Sequence, residues 1–170
     1  MRLNVHKLTF LALLSAAAVV GRVFFQILPN VQPVSAIIII TGYFLGPYYA
    51  CLLAVVTVYL SNLVLGMGLW TIWQMIAWGI VGYVAGLFKL YHWKRPLIPL
   101  TLYSFFAAYL YGLILDLGTY TYSGHFYSYF LASLPFSTFH AAGNIVFMII
   151  LYPVFQRLFR SRQITERFHK

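Results

Sequence analysis

Long apolar segments separated by short polar breaks run through the whole chain. Six of these segments approach the ~20 apolar residues that are needed to cross the hydrocarbon core of a bilayer. They predict the following helices: Leu8–Leu28, Val34–Leu45, Tyr48–Leu65, Thr71–Leu90, Leu97–Leu117 and Ala132–Phe159. The pattern therefore predicts an all-α integral membrane protein with six transmembrane helices, in which residues 1–170 form a single six-helix membrane domain.

Two parts of the pattern depart from regular crossings. The second segment, Val34–Leu45, is short, and we interpret it together with the third segment as a tilted or partly immersed hairpin. Residues 118–133 form the longest predicted connection, and this connection is rich in tyrosine. Such tyrosines suit either an interfacial aromatic belt or a lid over a ligand.

Charge sets the expected orientation of these helices. The 170 residues are 62% hydrophobic and carry eleven lysines and arginines against two acidic residues, for a net charge of +9. The basic residues cluster before the first segment, between the fourth and fifth segments, and in the C-terminal tail. The positive-inside rule places all three clusters on the cytoplasmic side, so both termini are predicted to be cytoplasmic. This topology explains the charge better than binding to nucleic acid does.

Polar residues inside the predicted helices are concentrated in the outer half of the membrane. Intramembrane polar groups are costly and usually face a bundle interior or a water-filled cavity, and aromatic neighbours supply flat apolar walls for a small molecule. The polar candidates for such a site are Arg22, Asn62, Gln74, Asp116, His140 and Asn144, and the aromatic candidates are Trp70, Trp73 and Tyr120. Their shared depth predicts a pocket that opens to the outside.

Each of these residues also has a structural interpretation. Arg22 suits a side chain that extends to the outer head groups, or a structural ion pair with Asp116. His140 suits a hydrogen-bonded residue of helix packing. The other residues suit interhelical hydrogen bonds or interfacial anchoring: Asn62, Asn144, Trp70 and Trp73.

Several function classes find little support in the sequence. It has no G-x-x-x-x-G-K-[ST] phosphate loop, so energy from ATP would have to come from another chain. No H-x-x-x-H or H-E-x-x-H metal pattern is present, and we expect neither a metal nor a cofactor. A membrane enzyme that uses His140 and Asp116 as acid and base is one rival interpretation, and a structural membrane scaffold is another.

Three stretches resemble the substrate-binding S components of energy-coupling factor (ECF) transporters. They are "GRVFFQILPNVQPVSAIIIITG", "SNLVLGMGLWTIWQMIAWGIVGYVAG" and "HAAGNIVF". The resemblance implies capture of a vitamin-like small molecule at the outer face of a prokaryotic cell membrane. It also implies docking through Ala12 and Ala16 on a membrane coupling subunit (EcfT-like), which carries two cytoplasmic ATPases (EcfA-like). It adds the stretch from Asn30 to Gln32 to the predicted pocket.

The chemistry of the candidate residues favours an uncharged or weakly charged flat heteroaromatic ligand. Such a ligand would stack on aromatic rings and be oriented by amide hydrogen bonds. A pyridoxine-like or hydroxymethylpyrimidine-like compound is therefore the predicted substrate. Cobalamin or a cobalamin precursor is the alternative, because the resembling subgroup includes such substrates.

Overall fold

Six α-helices account for most of the chain. The computed structural model describes residues 5–91 and 93–160, with only the backbone described at position 160. The helices are α1 Val5–Phe24, α2 Val34–Leu45, α3 Pro47–Leu65, α4 Trp70–Leu87, α5 Leu97–Ser123 and α6 Phe126–Arg160. Short 3₁₀ turns at Phe25–Ile27 and Phe88–Leu90 extend α1 and α4. The all-helical prediction is thus confirmed for the described residues.

Five of the helices are long and apolar enough to cross a bilayer, and α2 is not. At ~1.5 Å per residue, a helix of this size is about 18 Å long, well short of the ~30 Å hydrocarbon core. Every residue from Val34 to Gly42 is buried, and α2 packs against all five other helices. Five of the six predicted transmembrane helices therefore have the length and composition of a crossing, while α2, which we interpreted as short, forms the buried centre of the bundle.

The prediction of a long connection over residues 118–133 is wrong. Helix α5 continues to Ser123 and α6 begins at Phe126, so the turn between them is only two residues long. Gly124 has a φ of 72°, a left-handed conformation that suits glycine, and its amide donates to the Tyr120 carbonyl at 3.0 Å. Gly118 lies inside α5 and does not end it. The Trp73 ring packs on this position, and a Cβ here would collide with that ring.

The helices alternate in direction, so one end of the bundle gathers three connections. These are residues 28–33 after α1, 66–69 after α3, and 124–125 after α5. In the first of them, called the rim loop here, Asn30 adopts a φ of 57° and its Nδ2 donates to the Phe136 carbonyl of α6 at 3.1 Å. The opposite end holds the basic segment between α4 and α5. Arg2 and the basic tail after residue 160, on which part of the orientation prediction rests, lie outside the described residues.

A ridge of small residues on α4 is used inside the bundle. A Cβ on Gly82 would meet Ile38 and Ala50, and a Cβ on Gly86 would meet the backbone of Pro47. Close approach of α4 to α2 and α3 therefore depends on glycine, which has no side chain, at these two positions. This explains the "GYVAG" ridge by internal packing.

We expect Gly86→Ala to lower the free energy of unfolding by about 1–3 kcal/mol, because the added methyl group would push against the Pro47 backbone. Gly79→Ala on the same helix is the matched control, since no atom lies within 4 Å of its added Cβ. The control should be neutral or slightly stabilising. Thermal unfolding in detergent measures both variants, and equal stability of the two would contradict this packing account.

Candidate ligand-binding site

A small cavity lies at the end of the bundle that carries the rim loop. Its volume is about 170 Å³. The last turn of α1, the rim loop, α3, α4 and α5 all contribute to its wall. The lining residues are Arg22, Phe25, Gln26, Leu28, Asn30, Val31, Gln32, Leu65, Gln74 and Tyr111. The cavity thus combines one charge and several amides with aromatic and aliphatic walls.

Arg22 is the charged group of this cavity. Its side chain is 9% exposed. Nη1 donates to the Ser61 hydroxyl at 2.6 Å, and Nη2 donates to Gln74 Oε1 at 3.3 Å. The guanidinium also lies 5.1 Å from the ring centre of Trp78, in a cation–π arrangement. All of these partners are neutral, so among the described residues no carboxylate pairs with this buried positive charge.

A hydrogen-bond network fixes Gln74 in position. Asn62 Nδ2 donates to Gln74 Oε1 at 2.8 Å and to Thr71 Oγ1 at 2.9 Å. Asn62 is 1% exposed, so it supports the cavity wall from behind. Asn62 of α3 thereby holds the first turns of α4 against Arg22.

An aromatic layer lies beneath Arg22. The Trp78 ring packs 4.5 Å from the Tyr111 ring, and Tyr111 meets the imidazole of His140 edge-on at 5.1 Å. Trp78 Nε1 donates to the Ser35 hydroxyl at 2.9 Å, and that hydroxyl lies 2.7 Å from His140 Nε2. One serine on α2 therefore ties α4 to α6 through two buried rings.

We expect Ser35→Ala to lower the free energy of unfolding by about 1–3 kcal/mol, because Trp78 Nε1 and His140 Nε2 would both lose their buried partner. Ser128→Ala makes the same chemical change at an exposed position of α6 and should be neutral. Thermal unfolding in detergent compares the two variants. An unchanged midpoint for Ser35→Ala would show that the serine does not stabilise this layer.

Four predicted site residues line the cavity: Arg22, Asn30, Gln32 and Gln74. His140 and Asn144 lie deeper, fully buried between helices, and Asn144 Nδ2 donates to the Ser104 carbonyl at 2.9 Å. Neither of these two side chains lines this cavity in the described part of the chain.

Asp116 lies in a different place from Arg22. It was predicted to close α5, but α5 continues for seven more residues, to Ser123. Its carboxylate accepts a hydrogen bond from Ser133 at 2.6 Å and lines a second cavity of about 260 Å³ between α5 and α6. In the described part of the chain no ion pair joins Asp116 to Arg22, so the ion-pair interpretation of Arg22 is wrong.

The aromatic candidates surround the cavity end of the bundle without lining this cavity. Trp70 and Tyr120 are 47% and 49% exposed, and Trp73 packs against Gly118. Sequence reasoning missed Tyr111 in the cavity wall and Ser35 in the layer below it. Tyr111 shares a helix face with the small residues Ser104 and Ala107, and such a stripe on an apolar helix is the signal that would have indicated burial.

The predicted docking residues lie on the outside of α1. This helix packs inward through Leu11, Leu14 and Ala18, and Ala12 and Ala16 are exposed on another face. Two small residues one turn apart leave a shallow strip on which another helix can approach closely. The strip is separate from the cavity, because α1 reaches the cavity only at Arg22 and beyond.

Apolar helices around a small polar cavity define a multi-pass membrane protein with room for a small molecule. Residues 2–98 match the family model of the ECF-type riboflavin transporter, S component. The match covers more than half of the chain, and the chain belongs to this family of substrate-binding transporter subunits. The predicted resemblance to S components is thereby confirmed. No curated protein and no solved structure matches the chain.

Proposed function

We propose that this chain captures riboflavin at the outer face of a prokaryotic cell membrane for ATP-driven uptake by an ECF transporter. The observation that carries the proposal is the buried Arg22, which lines an open, partly polar cavity and whose hydrogen-bond partners among the described residues are neutral. A ligand that carries hydrogen-bond acceptors would complete the environment of such a charge. Family membership supports the assignment to vitamin transport.

Riboflavin is the substrate that we favour, because the matched family is described by that vitamin. Phe25 and Tyr111 offer flat walls for a ring system, and Gln26, Gln32 and Gln74 offer amides. The comparisons give no support to pyridoxine, hydroxymethylpyrimidine or cobalamin, which the sequence favoured. These were inferred from general ring chemistry and from a subgroup resemblance, neither of which specifies one vitamin.

Binding of a three-ring vitamin requires the rim loop to move. The cavity volume of about 170 Å³ lies below the ~300–1,000 Å³ of pockets that enclose drug-sized ligands. A side-chain hydrogen bond from Asn30 to Phe136 ties the loop to α6. Outward displacement of residues 28–33 would enlarge the cavity without disturbing the helices beneath it.

The distribution of basic residues supports the proposal that the cavity opens to the outside of the cell. The exposed basic residues Lys94, Arg95 and Arg157 lie at the opposite end of the bundle, and the positive-inside rule assigns that end to the cytoplasm. The exposed strip at Ala12 and Ala16 would then contact an EcfT-like coupling subunit, with two EcfA-like ATPases on the cytoplasmic side. The chain itself would supply binding, and its partners would supply ATP hydrolysis.

Uptake of labelled riboflavin tests this function. The chain is produced together with the coupling module of its own organism in a bacterial strain that cannot take up riboflavin. We expect accumulation that depends on both the chain and an intact ATPase. Equal accumulation with and without the chain, when the chain is present in the membrane, would overturn the proposal.

A further inference from the structure

The inner end of the cavity is formed by hydrogen-bond donors. A guanidinium has five N–H donors and no acceptor. The Gln74 atom that faces Arg22 Nη2 at 3.3 Å must therefore be the amide oxygen. The same oxygen accepts from Asn62 Nδ2 at 2.8 Å. The orientation of the Gln74 amide thus follows from the chemistry of its neighbours.

The acceptors in this region are already occupied. A carbonyl oxygen has two lone pairs, and those of Gln74 Oε1 are taken by Arg22 and Asn62. The nitrogen of Gln74 is left to donate. The described contacts use two of the five N–H groups of Arg22, on Ser61 and Gln74. We call Arg22 and Gln74 together the donor end.

No carboxylate neutralises the donor end within residues 5–91 and 93–160. The one acidic side chain in that part of the sequence, Asp116, accepts from Ser133 in the second cavity. Taking a charge out of water is costly unless the site returns an opposite charge or strong hydrogen bonds. A ligand edge that carries acceptors would satisfy Arg22, whereas an amino group or a cation would face donors and a positive charge.

The rim of the cavity has a different character. Gln26 and Gln32 bring amides that can both donate and accept, and Asn30 uses its nitrogen on Phe136, which leaves its oxygen to accept. Hydroxyl groups of a ligand suit this rim. Because its two ends differ in hydrogen-bonding character, the cavity would bind a ligand in one orientation.

We infer, on the basis of the proposed vitamin-binding function, that the cavity selects a ring with an acceptor edge. In this edge a carbonyl oxygen adjoins a ring nitrogen that carries no hydrogen, and both atoms point at Arg22. A guanidinium fork recognises two adjacent acceptors in one plane. Isoalloxazines and pteridinediones have such an edge. The corresponding amino-substituted rings lack it, so Arg22 determines specificity.

Two pteridines of nearly equal size test the inference. Pteridine-2,4-dione has the acceptor edge, and 2,4-diaminopteridine replaces both carbonyl oxygens with amino groups. Each is titrated against the detergent-purified protein near neutral pH, both alone and as a competitor of riboflavin. We expect the dione to bind roughly tenfold tighter or more, which is the effect of about one charge-assisted hydrogen bond.

Three variants test whether Arg22 causes the preference for the dione over the diamino compound. Arg22→Gln should remove it, because glutamine can also accept and no longer fixes the Gln74 amide. Arg22→Lys should keep a weaker preference of the same sign, because an ammonium group also donates only but lacks the planar fork. Arg157→Gln makes the first change at an exposed position far from the cavity and should behave as the wild type. Preserved thermal unfolding midpoints show that the variants are folded.

The outcomes separate the inference from the proposed function. Riboflavin binding without a preference for the dione, or with a preference that survives Arg22→Gln, would overturn the inference alone. Failure of the dione to displace bound riboflavin would do the same. Binding of the dione without riboflavin binding would support the inference and contradict the choice of vitamin. Failure of all three compounds to bind folded protein would overturn both.

Discussion

Replacing Ala12 and Ala16 together by tryptophan is expected to abolish ATP-driven uptake while leaving the riboflavin Kd of the purified protein within about twofold of its original value. Both alanines are exposed on α1, and indole rings there would prevent close approach of a partner helix. The cavity begins only at Arg22, more than one helical turn further along the chain. Uptake of labelled riboflavin and fluorescence titration measure the two quantities separately.

Ala17→Trp is the matched control for this double variant. Ala17 is exposed on the same helix but lies about 140° around the axis from Ala12 and about 100° from Ala16. It should retain uptake. Joint loss of binding and uptake in the alanine variant would contradict a docking surface that is separate from the cavity, and full uptake would contradict docking on this strip.

Gln74→Glu is expected to stabilise the protein and weaken riboflavin binding roughly 100-fold or more. The new carboxylate would lie beside Arg22 and supply a negative charge that no described residue places there. Completing a buried ion pair on a charge that is already buried should raise the free energy of unfolding by about 1–3 kcal/mol. The same carboxylate would occupy Arg22 and repel the acceptor edge of the ligand, so stability and binding should change in opposite directions.

Gln156→Glu makes the same substitution near the end of α6, far from the cavity, and should leave binding unchanged. Thermal unfolding in the absence of ligand and riboflavin titration are carried out on both variants. Undiminished affinity in Gln74→Glu would show that the ligand does not use Arg22. A lower unfolding midpoint would show that Arg22 is already satisfied.

The lengths of the apolar segments, and the prolines and glycines between them, predicted most of the fold. The bounds of α2 agree with the prediction, because Pro33 precedes it and Gly46, with a φ of 100°, ends it. The turn between α5 and α6 was misplaced because Gly118 and Gly124 look alike in sequence. Only packing distinguishes them, since Gly118 accommodates the Trp73 ring and Gly124 adopts the left-handed turn.

The sequence predicted the depth of the site residues in the membrane. It did not predict the direction in which each side chain points around its helix axis. Arg22 and Gln74 were placed in the same layer of the membrane, and the structure brings them together. His140 was placed at a similar depth, yet its ring points to Ser35 inside the bundle. Rotation about a helix axis depends on which neighbours it packs against, and an isolated segment of sequence does not specify those neighbours.

The same limit explains the incorrect pairing of Arg22 with Asp116. Asp116 is the one acidic residue within the predicted membrane segments, and Arg22 is the one basic residue that lies away from their cytoplasmic ends, so charge alone suggests that they meet. Helix α5 instead presents Asp116 to Ser133 of α6, and Arg22 is left with Ser61 and Gln74. Both the proposed function and its specificity follow from this buried arginine, which has no carboxylate partner among the described residues.

Titration of the detergent-purified protein with riboflavin, followed by flavin and tryptophan fluorescence and checked by native mass spectrometry, tests the central claim most directly. Trp78 lies 5.1 Å from the Arg22 guanidinium, so occupation of the cavity should change the tryptophan signal. Our account predicts saturable binding of one riboflavin per chain, with affinity that falls in Gln74→Glu. A folded protein that neither retains nor binds riboflavin would contradict it.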